Sequence, residues 1–265
     1  MKLNWLMISL AMIVGTAVNN TASAATYNLQ NLGTLGGNSG SARAISSNGL
    51  VAGYSTTATG ATHAFLWQNG VMQDLGTLGG NMSMAYGVNS KGEVVGVSTT
   101  SIGTPHGFIW RDGRMEDLST QAGQETSAFS INDNSQYVGY AVLPAYAVHP
   151  ILWQNGLMQD LGTIFGYGAI ANSINSTGDV AGQYYSTVSH AYKAFAIQSG
   201  VTTYLDGLPS SNGEYYANDI NDIGQIVGSA KNQFEATRPV WWQNGVIQDL
   251  GTPDTFGYAN AINSS

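Results

Sequence analysis

Apolar residues along this chain fall in short clusters of three to seven, separated by glycine and small polar residues, and no stretch beyond the first two dozen residues keeps a helical period. In His63-Ala64-Phe65-Leu66-Trp67 the side chains alternate between two faces, and both faces are largely apolar. A strand of that kind must be covered on each side. Asn48-Gly49, Lys91-Gly92 and Thr177-Gly178, together with the recurring Asn69-Gly70, Asn155-Gly156 and Asn244-Gly245, mark turns between such clusters. The pattern therefore predicts many short antiparallel strands joined by tight turns.

The clusters repeat in register. A leucine box recurs at Leu32, Leu75, Leu118, Leu161, Leu205 and Leu250, with spacings of 43, 43, 43, 44 and 45 residues. An alanine box follows at Ala42, Ala85, Ala128, Ala171, Ala217 and Ala259, each with Ile or Val three residues on. Next come the glycines Gly53, Gly96, Gly139, Gly182 and Gly228, then Trp67, Trp110, Trp153, Ile197 and Trp242. Four ladders in one register define a repeat of four strands, with units starting near residues 31, 74, 117, 160, 204 and 249. Five units are complete, and the sixth carries only its first two boxes.

A four-stranded sheet apolar on both faces and recurring at this period predicts an all-β fold, a β-propeller in which each sheet is a blade stacked on its neighbours. A linear solenoid and a β-sandwich are the rival architectures; β-coils repeat at shorter periods, and a sandwich shows no such register. The odd ends leave two readings open. Either Tyr27–Leu32 and the C-terminal strand share a closing blade, or further units lie outside this chain.

Composition narrows the class of partner. Only 9% of residues are charged, and 8 basic against 16 acidic residues give a net charge of −8, too little positive charge to neutralise phosphates on nucleic acid. With no cysteine, disulfides and thiolate metal sites are excluded. Residues 1–24 carry Lys2, an apolar run from Leu6 to Val18, and Ala22-Ser23-Ala24, the pattern of a secretory signal cleaved near Ala24. The run is shorter than the ~20 residues of a membrane span, so the mature chain, 25–265, is expected to be one exported repeat domain with no membrane span.

The segments His63-Ala64-Phe65-Leu66-Trp67-Gln68-Asn69-Gly70 and Asp74-Leu75-Gly76-Thr77-Leu78-Gly79-Gly80 resemble the bacterial extracellular repeat family named for its His-Ala-Phe tripeptide, the HAF repeats. The resemblance spans essentially the whole mature chain. It implies export and a β-rich array, and it brings no established catalytic residues. Later units drift from it, with His106-Gly107-Phe108, His149-Pro150-Ile151, Lys193-Ala194-Phe195 and Arg238-Pro239-Val240 at the tripeptide.

Residues that recur in every unit are expected to maintain the repeat. His63, His106, His149, Lys193 and Arg238 are always hydrogen-bond donors, suited to holding an adjoining loop or blade, or to ringing an anionic ligand. Asp74, Asp117, Asp160 and Asp249 precede the ladder leucines and are expected to accept turn hydrogen bonds. Function should lie where symmetry breaks: Glu214, Tyr215, Tyr216, Asp219 and Asp222 in the enlarged fifth unit, and Tyr184, Tyr185, His190 and Tyr192 in the fourth. Loop tyrosines beside amides suit stacking against sugar rings. Two function classes follow: a secreted binding module directed at a glycan or another envelope component, or a polysaccharide hydrolase or lyase that needs two of these carboxylates in one pocket. No nucleophile elbow, phosphate loop or metal-ligand motif is present, so neither catalytic residues, nor a metal, nor a cofactor is assigned.

Overall fold

The computed structural model describes residues 28–119, 124–162, 168–209, 213–251 and 256–264. The expected signal segment 1–24, and Tyr27 with it, lie outside the described residues. The twenty strands of the described residues fall in one compact unit, Leu32–Ser265. They form five antiparallel meanders of four. The first is β1 (Gly36–Ile45), β2 (Val51–Thr57), β3 (Thr62–Gln68) and β4 (Val71–Asp74), and the second is β5 (Gly79–Val88), β6 (Val94–Thr100), β7 (Pro105–Arg111) and β8 (Arg114–Asp117). A parallel bridge, Thr62 to Met82, joins these two into one eight-stranded sheet. Three separate sheets follow: β9 (Thr126–Ile131) to β12 (Leu157–Asp160), β13 (Ala169–Ile174) to β16 (Val201–Tyr204), and β17 (Tyr215–Ile220) to β20 (Val246–Asp249). Between the outer members of these three lie β10 (Tyr137–Leu143) and β11 (Ala147–Gln154), β14 (Val180–Ser186) and β15 (Ala191–Gln198), and β18 (Ile226–Lys231) and β19 (Thr237–Gln243). No α-helix occurs among the described residues.

The sheets are phased differently from the sequence units. Each begins at the alanine box and ends on the Asp-Leu box that opens the next sequence unit, and Leu32 is not in a strand. Turn chemistry is the reason. Asn69-Gly70, Asp112-Gly113, Asn155-Gly156, Ser199-Gly200 and Asn244-Gly245 all place both central residues at positive φ. That is the type I′ geometry, whose twist folds two strands directly onto each other. The tripeptide strand is thus paired with the Asp-Leu strand that follows it, as in Phe65 to Asp74 and Phe108 to Asp117.

The ladder glycines answer to a second constraint. Every first strand carries a bulge beside its alanine, for example between Ala85 and Gly87 in the pairing of β5 with β6. The bulged strand's carbonyl leans over the facing glycine, so a Cβ at Gly96 would strike the Met84 carbonyl and the Phe108 ring. Only glycine fits there.

Successive sheets bury their facing sides against each other. Ala64 and Leu66 of the first sheet pack with Ala85, Val94 and Phe108 of the second, and Val95 and Ile109 of the second pack with Tyr137, Ile151 and Trp153 of the third. Val138 meets Ala171 and Phe195, and Ala194 and Ala196 meet Ala217, Val240 and Trp242. The two-faced apolar strands of the sequence are thereby covered, as stacked blades require. β1 differs: Ile45 is 72% exposed, whereas its counterparts Val88 and Ile131 are 7% and 9% exposed.

From the second unit onward, one buried amide per unit reaches across to the next. Asn89 Nδ2 donates to the Asn132 carbonyl at 3.1 Å, Asn132 to Asn175 at 2.9 Å, Asn175 to Asn221 at 3.0 Å and Asn221 to Asn263 at 3.0 Å. The Oδ1 of the same side chain accepts two amides of its own turn; for Asn132 these are Asn134 and Gln136, both at 3.0 Å. A single residue so closes its hairpin and ties that hairpin to the next sheet. In the first unit Ser46 stands at this position and accepts only within its own turn, from the Leu50 amide at 3.0 Å. Asn48 makes the crossing instead, donating to the Ser90 carbonyl at 2.8 Å.

Replacing Asn132 by alanine orphans buried groups on two sheets, so urea unfolding should show a loss of about 2 to 3 kcal/mol. Asn132→Asp keeps the turn acceptor and removes the crossing donor, and it should be at least as damaging. A neutral Asn132→Asp would mean that the turn bonds alone matter. Tyr137 supplies a second expectation: it is 3% exposed and stacked on Trp153 at 5.8 Å, and burial pushes its hydroxyl pKa up to about 12. A raised folded pKa contributes stability that is complete below the unfolded value of about 10 and is lost as pH climbs toward 12. Urea midpoints measured through that window should fall, and Tyr137→Phe should flatten the fall.

Candidate functional site

The recurring donors of the tripeptide sit on the third strand of each sheet and meet the recurring aspartates of the fourth. His63 Nδ1 lies 2.9 Å from the Asp74 carboxylate, and His106 and His149 lie 2.7 Å from Asp117 and Asp160. Arg238 Nε lies 3.0 Å from Asp249. Each of these aspartates also accepts the amide two residues on, from Gly76, Ser119, Gly162 and Gly251 at 2.8 to 2.9 Å. The pairs are local to one hairpin corner, so they do not converge into a ring around a ligand. The conserved-register tryptophans are packing residues: Trp110, Trp153 and Trp242 are buried, and Trp67 is half-buried. Where the aspartate is replaced by Tyr204, Lys193 turns elsewhere: its Nζ donates to the Gly213 carbonyl at 2.9 Å and lies 4.3 Å from the Tyr215 ring centre.

Most of the symmetry-breaking tyrosines come together at one edge of the fourth and fifth sheets. Tyr185 and Tyr192 are cross-strand partners on β14 and β15 with ring centres 5.4 Å apart, and Tyr216 on β17 follows at 5.8 Å from Tyr192. Tyr184 packs edge-on against Tyr204 at 5.4 Å. His190 is exposed in the β14–β15 turn, in the left-handed region at φ 52°. Glu214 adjoins this run and pairs with Lys231 at 3.5 Å. Burial raises the Tyr215 pKa to about 12, and burial followed by the nearby Glu214 carboxylate drives Tyr216 up as well. Both rings are neutral donors at physiological pH. Tyr192 keeps 38% of its surface exposed, which leaves part of an aromatic ring open to a ligand.

The acidic candidates do not share a pocket. β17 is extended, so Asp219 stands about 15 Å along it from Glu214, and Asp222 lies farther on, beyond the end of the strand. Asp219 accepts the Ser173 hydroxyl, its own-strand Ile220 amide at 3.0 Å and the Ile262 amide at 2.9 Å. Asp222 accepts the Ser176 amide at 2.9 Å, and that bond holds its pKa below the usual carboxylate range. The grouping of Glu214, Asp219 and Asp222 expected for sugar hydrolysis is therefore corrected: the two aspartates are joints between units, each engaged by backbone and hydroxyl donors, and Glu214 stands apart from both at the start of β17. Among the described residues no three His, Asp or Glu side chains gather as metal ligands.

A second place was missed by the sequence reading. The first strands of the five meanders and the 257–264 segment surround a channel of about 850 Å³, with a narrower mouth of about 260 Å³ at the turn end. The segment is held by backbone bonds from Gly257 to Thr237 at 3.0 Å and from Ala259 to Gly228 at 3.1 Å. The residue after each ladder alanine lines the channel: Arg43, Tyr86, Phe129, Asn172, Asn218 and Asn260. The signal that could have found it is variation at the position that directly follows an alanine constant in every unit.

No protein-family model matches the chain, and a search of characterised proteins returns no significant match in sequence. Solved structures do resemble it. The β-propeller domain of the Trilobed protease from Pyrococcus furiosus, described as having an open velcro topology, aligns with TM-score 0.54 at 11% identity, over 77% of this chain and 66% of that one. A putative TolB from Agrobacterium tumefaciens aligns with TM-score 0.53 at 7% identity, over 76% and 80%. TolB from Acinetobacter baumannii aligns with TM-score 0.51 at 12% identity, over 80% of this chain, which spans about half of that protein. No helix among the described residues is long and apolar enough to cross a membrane. At such identities the likeness is one of fold: the chain is an all-β protein of four-stranded sheets arranged like propeller blades.

Proposed function

We propose that this chain is an exported propeller-type binding module of the HAF-repeat kind, and that it holds a glycan of the cell envelope or its surroundings at the tyrosine edge. In this reading the five meanders are five blades, and the 257–264 segment stands at the inner position of a sixth. The observation that carries the binding reading is the run Tyr185, Tyr192 and Tyr216, built where the fourth and fifth units depart from the repeat. Aromatic faces stack on the apolar side of a pyranose, while phenol hydroxyls and the adjoining Glu214 and Lys231 reach its hydroxyls. Hydrolysis or lysis of polysaccharide is disfavoured by the separation of the carboxylates. Export is supported by the leader-like residues 1–24 and by the HAF resemblance.

Two measurements test the proposal. Protein recovered outside the cytoplasm should begin at Ala25 by N-terminal mass spectrometry, and recovery only of uncleaved, cell-associated chain would count against export. On a glycan array the mature chain should retain a defined subset of glycans, and Tyr192→Ala and Tyr216→Ala should each weaken that retention about tenfold, the loss of one stacking surface. A blank array, or unchanged retention by both variants, overturns the glycan reading.

A further inference from the structure

We infer that the axial channel is a second binding site, separate from the tyrosine edge, and that it takes an acidic saccharide through the carboxylate of a uronic acid residue. The channel is enclosed by positions that are equivalent by repeat, yet its lining is not uniform. Three consecutive units contribute Arg43, Tyr86 and Phe129, and the next three contribute Asn172, Asn218 and Asn260. One wall is aromatic and cationic, and the other is made of amides. A position kept only for packing would repeat its residue as the adjacent alanine does.

The aromatic wall is continuous. Tyr86 and Phe129 have ring centres 5.7 Å apart, and Tyr140 on β10 backs the wall at 5.8 Å from Phe129. Arg43 lies at the other end, its guanidinium 5.4 Å from the Tyr54 ring centre and its Nη2 donating to the Tyr54 hydroxyl at 3.3 Å. No carboxylate pairs with Arg43 among the described residues. A guanidinium carries five donors in a planar fork and only one of these meets Tyr54, so most of its capacity is unfilled at the channel wall, and a carboxylate is the group that fills it.

The amide wall is pre-set by its own bonds. Asn172 Nδ2 donates to the Ala217 carbonyl at 2.8 Å, and Asn218 Nδ2 donates to the Ala259 carbonyl at 3.0 Å. Fixing the NH₂ groups on the following unit's backbone leaves the Oδ1 atoms as acceptors for hydroxyl groups. Asp219, the acidic residue of the lining, already accepts three donors and does not occupy Arg43. A ring with one apolar face, several hydroxyls and one carboxylate matches both walls at once, and 850 Å³ is within the range of small-ligand cavities. A chain of net charge −8 with one channel arginine is unsuited to a polyanion such as nucleic acid.

Calorimetric titration of the mature chain with galacturonic acid, galactose and acetate tests this. Galacturonic acid should bind most tightly. Arg43 is an exposed side chain, so Arg43→Gln should fold normally, and it should reduce galacturonate affinity about tenfold or more, collapsing the preference over galactose. Tyr86→Leu should weaken both sugars and leave any acetate signal alone. The inference is overturned if galacturonate gives no saturable heat, if Arg43→Gln binds it as wild type does, or if acetate binds as tightly, which would mark a simple anion pocket. Retention at the tyrosine edge is read separately on the array, so either site can fail without the other.

Discussion

The structure depends on a buried asparagine that serves two sheets at once. Its Oδ1 closes the hairpin to which it belongs, and its Nδ2 reaches the backbone of the next sheet, from Asn89 through Asn132 and Asn175 to Asn221 and Asn263. Apolar burial between sheets is non-directional and would tolerate sliding or rotation of one blade on another. A buried amide that must meet a particular carbonyl removes that freedom, because the misaligned alternative leaves a donor and an acceptor unpaired away from water. Spacing is thereby set by one side-chain length, repeated from the second unit to the last.

With the sheets held in this way, other recurring residues settle into local tasks. The donor of the tripeptide and the aspartate eleven residues on lock the corner between third and fourth strands, and the aspartate's second oxygen caps the turn that follows. The ladder glycine makes room for the bulged inner strand, and that bulge aims the residue after the alanine at the channel. Freedom to vary is left at two places, the channel lining and one edge of the fourth and fifth sheets. Those are where Arg43, Tyr86 and Phe129, and Tyr185, Tyr192 and Tyr216, are found.

Strand number, strand length and the two-faced burial were legible because they are local. Alternation in His63 to Trp67 needs no partner to be read, and Asn69-Gly70 states its own turn type. The phase of the sheets was legible in principle from those turns, but the repeat was counted from its most regular motif, the Asp-Leu box, which closes a sheet and does not open one. Asn132 was hidden for a related reason: asparagine after an apolar strand and before Asp-Asn-Ser reads as ordinary turn chemistry, and its crossing bond joins residues 43 apart. Glu214, Asp219 and Asp222 looked like one acidic group because they are close in sequence, and an extended strand carries them to different places.

The sequence by itself determined an all-β repeat of four short strands, the turns that join them, and which residues recur and which depart from the pattern. These follow from periodicity and backbone preference, which act over a few residues. Tertiary structure alone decided which box belongs to which sheet, that one asparagine per unit binds the neighbouring blade, and that six varied positions converge on one channel. Each of those is a contact between residues about forty positions apart, made only when apolar faces have stacked, and no local pattern encodes the direction in which a side chain then points.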